Sequence, residues 1–148
     1  MSKLPFILIA IVLGGMLTFQ PGLNADVARR ISSPLGAGVV SIFVSVVIAA
    51  VVLLLSRQQV QWAPAAAMPW HLWLAGVIGA VFVIGALWVA PILGASVLFA
   101  AVVAGQMIGA TVADQVGIGG YQAHAFDPWR IVAIALVLAG VWLFQRAA

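Results

Sequence analysis

All nine charged residues sit at the edges of long apolar runs. They are Lys3, Asp26, Arg29, Arg30, Arg57, Asp114, Asp127, Arg130 and Arg146. The longest intervals, 4–25, 31–56, 58–113 and 131–145, carry no charge. A spanning helix needs about 20 apolar residues, with about 17 as the lower limit. The stretch 58–113 has room for two such helices and a loop. Only 6% of the 148 residues are charged and 66% are hydrophobic, against about 25% charged in an ordinary soluble domain. This pattern requires an all-α integral membrane protein, a single transmembrane domain over residues 1–148.

Several other classes are excluded on the same ground. A pI near 10.8 raises nucleic acid as a partner. The basic residues, however, are single or form one pair, with no patch for phosphates to follow. Cysteine is absent, which removes disulfides and thiol chemistry. His71 and His124 are far apart without carboxylate neighbours, so no metal site is expected. No nucleophile–base pair is visible, which argues against an enzyme, and no cofactor is implied. The small residues around Leu23-Asn24-Ala25 do not form a signal-peptide cleavage site, so the first apolar run is read as a retained span.

Five spans follow, at about 4–30, 35–55, 69–90, 95–113 and 128–144. The first is read as a helix kinked at Pro21, because neighbours in a membrane can re-satisfy a carbonyl freed by proline. The competing reading stops it at Gln20 and starts a short surface helix. Ser32-Ser33-Pro34 is a turn with Pro suited to a first helical turn. Residues 56–68, with Arg57, three Gln and Pro64, read as an aqueous loop. Pro91 to Gly94 is read as a tight hairpin. Asp114 to Asp127, with Gly117, Gly119, Gly120 and His124, reads as the second loop. Asp127-Pro128 before Trp129 is a helix start.

Tryptophan favours the membrane–water boundary, and its positions fit this map. Trp62, Trp70, Trp73 and Trp129 fall on one side, Trp88 and Trp142 on the other. The basic residues divide evenly as well. Lys3, Arg57 and Arg130 lie on the side of the N-terminus; Arg29, Arg30 and Arg146 lie opposite. Lys/Arg asymmetry sets orientation, so this split predicts either insertion both ways up or an orientation fixed by the early Arg29-Arg30 pair. Many transporters are inverted repeats around a midplane site. Five is an odd number of helices and no internal duplication is visible, so an inverted half would have to come from a second chain.

Small residues mark where membrane helices meet. The fourth span carries Ala101, Gly105, Gly109 and Ala113, with Ser96, Ala100 and Ala104 on an adjacent row. The third carries Ala75-Gly79 and Gly76-Ala80. These rows predict close packing of the two spans with each other or across a dimer.

No ionisable residue lies deep in a span, which argues against a carboxylate-based cation exchanger. What remains is amide and hydroxyl: Thr18, Gln20, Asn24, Ser41, Ser45, Gln106 and Thr111. Gln20 and Asn24 share a helical face if the helix survives Pro21. Buried amides are costly unless paired. Gln20, Asn24 and Gln106 are therefore candidates for binding a neutral or zwitterionic solute, or else they are interhelical glue. Ser41, Ser45 and Thr111 are read as bonding their own helix backbone. His71 reads as an interfacial residue, and Arg29 and Arg30 as headgroup contacts.

Together Gln20-x-x-x-Asn24, Ser33-Pro34, Gly105-Gln106, Asp114-x-x-Gly117, Asp127-Pro128-x-Arg130 and Gly140 resemble the five-helix, short-chain branch of the drug/metabolite transporter superfamily. That branch is similar to the small multidrug resistance transporters. The resemblance implies a multi-pass protein of the bacterial inner membrane. It also implies an antiparallel dual-topology homodimer or a pair of paralogues, and transport of a small molecule. It marks Gln20, Asn24 and Gln106 as signature polar positions. The small multidrug transporters use a glutamate within the first helix. This chain contains no glutamate, so their proton chemistry does not carry over. Pro21 also stands where a small residue is expected. The combined expectation is an alternating-access transporter of inverted chains; the rival is a non-transporting membrane subunit or scaffold.

Overall fold

The computed structural model describes residues 3–117, 123–125 and 127–147. Among these residues every regular element is a helix. In chain order they are α1 (Leu4–Leu17), α2 (Gln20–Ile31), α3 (Pro34–Ser56), the short α4 (Trp62–Ala66), a 3-10 turn (Trp70–Trp73), α5 (Leu74–Val116) and α6 (Pro128–Ala147). Four apolar stretches are long enough to cross a membrane: Leu4–Ile31, Pro34–Ser56, Trp70–Val116 and Pro128–Ala147. The chain divides into two compact units, Met1–Ile92 and Leu93–Ala148.

In the first unit, α1 and α2 belong to one apolar run that tightens at Thr18 and Phe19. Their N–H groups donate to the carbonyls of Gly15 and Met16, each at 3.2 Å and three residues back instead of four. Pro21 explains this: it has no N–H for the carbonyl of Leu17, and its ring crowds that carbonyl. Thr18 Oγ1 donates to the Gly14 carbonyl at 3.2 Å, replacing a ladder bond. The regular ladder resumes where Leu23 N–H donates to the Phe19 carbonyl at 3.1 Å. Thr18 and Phe19 keep right-handed helical torsions, so the run does not stop at Gln20.

A tight corner joins α2 to α3. Ser32 adopts φ +53°, and the N–H groups of Ser32 and Ser33 both donate to the Ala28 carbonyl. Ser33 is extended and its Oγ accepts from Gly36 N–H at 3.0 Å, a helix N-cap. Pro34 fills the first helical position, where no N–H is needed. A Cβ on Gly36 would lie 2.9 Å from Ile31 Cδ1 and 3.1 Å from Ser33 Oγ, so a side chain there crowds the corner. α3 then packs along α2. Two residues on, a Cβ at Gly38 would sit 3.3 Å from Ile84 and 3.6 Å from Leu87. Ala37, Ala86 and Leu87 are buried with it.

The break expected over Pro91 to Gly94 is confined to Gly94, with φ +71° and ψ 168°. That torsion pair is essentially restricted to glycine. Pro91 is accommodated inside helix. In the second unit, α5 continues to Val116 and α6 to Ala147, each three residues past the ends read from the sequence. Asp114 lies inside the last turn of α5. The stop is set instead by Gly117, at φ +71°, whose N–H donates to the Ala113 carbonyl at 2.8 Å, a left-handed C-cap. The expected loop at 56–68 contains the short α4, since Pro64 falls in its first turn, where proline is tolerated. Residues 70–73 form a 3-10 turn ahead of α5. Gly119 and Gly120 lie outside the described residues.

Candidate functional site: a polar groove beside a tightened helix

The sequence that folds α3 back along α2 also creates a groove. Its volume is about 360 Å³. One wall is the tightened run, with Met16, Phe19, Gln20 and Asn24; the other is α3, with Ser41 and Ser45. Gln20 and Asn24 are four apart and lie on one face because both fall within α2, which accommodates Pro21 in its first turn. The rest of the lining is Leu23 and valines.

The polar groups in the groove differ in how they are satisfied. Gln20 Nε2 donates to Ser41 Oγ at 3.5 Å, at the long end of hydrogen bonding. Ser45 Oγ donates to the Ser41 carbonyl at 3.0 Å, and Thr111 Oγ1 in the second unit donates to Met107 at 2.8 Å; both are intrahelical bonds of the kind expected for hydroxyls. Ser41 is different, because it serves Gln20 on another helix. Asn24 is 9% exposed and its carboxamide has no hydrogen-bond partner among the described residues. No ionisable side chain lines the groove. On α2, Arg29 pairs with Asp26 on the exposed surface.

Gln106 belongs to the second unit. It is exposed, within a stretch 105–110 that is exposed at every position, while Ala104 just before it is 3% exposed. Gly105 and Gly109 are open: a Cβ at either meets nothing within 4 Å. The same holds for Gly76 and Gly79. A second groove, of about 370 Å³, lies between α5 and α6, lined by Phe99, Val103, Val137 and Phe144 with Ser96 as its one hydroxyl. It lacks the amides of the first. At the edge of this unit Arg130 donates to Asp114 at 2.8 Å, tying the start of α6 to the end of α5. Asp127 Oδ1 accepts from Trp129 N–H at 3.0 Å, and Arg146 stacks over Trp142 at 4.5 Å.

One group at the groove escapes a reading by residue type. Ser41 has the sequence context of any helical serine; only the rotation of α3 against α2 brings it to Gln20.

Long apolar helices, large hydrophobic side chains exposed along them and an amide-bearing groove define a multi-pass helical membrane protein. Residues 5–143 match the sequence model of the family described as "Putative inner membrane exporter, YdcZ"; the chain belongs to that family, and its place is the inner membrane. No curated protein and no solved structure matches the chain.

Proposed function

We propose that this chain exports a small polar molecule by alternating access, working as an antiparallel pair with an inverted copy of itself or a paralogous chain. Asn24 carries the reading. The residue is nine-tenths buried in the groove wall, yet its carboxamide, unbonded among the described residues, keeps its polar atoms accessible, and a passing solute supplies the bond. The long Gln20–Ser41 bond is weak enough for a solute to exchange with. Gln106 is the amide that the second half of the chain contributes.

The paired architecture rests on length and charge. Trp70–Val116 is 47 residues, about 70 Å as a straight helix, against about 30 Å of hydrocarbon. It therefore serves as two spans meeting at Gly94, five in all. The basic residues then fall three to each side, which leaves little orientation bias. The open Gly105 and Gly109 offer the second chain a close approach. Two identical inverted chains make inward and outward states equivalent, so the solute has only to lower the barrier between them.

The rival is a non-transporting subunit. The Gln20–Ser41 bond favours it, since that contact alone is interhelical glue. Solute flux in vesicles containing only the purified chain separates the two. Flux that falls at least tenfold in Asn24→Ala supports export through the groove; no flux across a broad solute panel supports the subunit.

A further inference from the structure

The groove defines the charge of what it takes, and this step rests on the export reading above. Three observations bear on it. No ionisable side chain lines the groove, so an unpaired ion there bears the full cost of leaving water. The helix ends beside the groove give no compensation. A lone helix N-terminus favours anions and a lone C-terminus cations. Here the C-terminus of α1 and the N-terminus of α2 are separated only by Thr18 and Phe19, so their opposite partial charges cancel. What the groove does present is unspent hydrogen-bonding capacity of both kinds. Asn24, nine-tenths buried, offers an amide N–H donor and a carbonyl acceptor.

We propose that the site selects an uncharged solute carrying an amide-like edge, with a donor and an acceptor side by side on an apolar body. A carboxamide or a lactam has this form. The solute's N–H meets the Asn24 carbonyl oxygen, its carbonyl meets the Asn24 amide N–H, and its body lies against Met16, Phe19 and the valines. A carboxylate of the same shape lacks the donor, an amidinium lacks the acceptor, and each brings an unbalanced charge.

Benzamide, benzoate and benzamidinium share one shape and differ in charge, and they test this directly. Binding of each to the purified full-length protein in lipid nanodiscs is measured by calorimetric titration. Benzamide is expected to bind at least tenfold more tightly than either ion. Asn24→Asp, nearly isosteric, is expected to reverse the order in favour of benzamidinium. An ion that binds the unmodified protein as tightly as benzamide overturns the proposal, and so does failure of all three probes to bind. The same vesicles distinguish this from the export reading. Flux of another solute without benzamide binding removes only the amide class; benzamide binding without flux of any solute removes export and leaves the binding site standing.

Discussion

Asn24 is the residue on which the groove turns. On α2 it is buried together with Pro21, and among the described residues no protein partner meets its amide. Asn24→Ala removes a group that stabilises nothing within the chain. Its expected signature is a split between two measurements: transport in vesicles falls at least tenfold, while resistance to unfolding in detergent stays within about 0.5 kcal/mol. Gly36→Ala predicts the opposite split. The new methyl meets the Ile31 tip, which can swing aside, and Ser33 Oγ and Cβ at 3.1 and 3.2 Å; disturbing that helix cap costs about 1 kcal/mol, read as a lower unfolding midpoint. At this scale the sequence was partly legible. Gln20 and Asn24 stand out because amides are rare in apolar runs, and Ser33-Pro34 announces a helix start. Gly36 and Gly38 did not stand out, since glycine is common in membrane helices and nothing in their spacing reveals which chain segment will lie against them.

Among the elements, α5 depends most on one residue. Gly94 has open space around its missing side chain, so the cost of Gly94→Ala is torsional, about 1–3 kcal/mol. Denaturation in detergent is expected to register that loss although no contact is made or broken. Pro91, by contrast, sits inside helix, and the sequence signal that seemed spread over four residues belongs to Gly94 alone. The small-residue rows show a second limit of sequence reading. The spans are apolar on every side, so no stripe sets their rotation. The adjacent rows through Ala104 and Gly105 were equally good candidates for packing. In the chain Ala104 is buried and Gly105 is open. A row left open within one chain is available to another. Gly109→Leu is therefore expected to convert a paired species to single chains in cross-linking or light scattering, with little effect on the fold of each chain. Unchanged pairing would remove this row from the interface.

At the scale of the whole molecule, the charge map and the apolar helices lead to the same membrane protein, because both follow from the expense of carrying charge through hydrocarbon. The central claim is that inverted copies work together. The chain has no cysteine, which makes single-cysteine labelling unambiguous. On the proposed five-span topology, Gln58→Cys and Ala147→Cys lie on opposite sides of the membrane. A membrane-impermeant thiol reagent applied to intact cells should modify about half the copies of each variant, as expected when lysine and arginine give no orientation bias. Complete modification of one variant with none of the other would establish a single orientation and contradict the inverted pair.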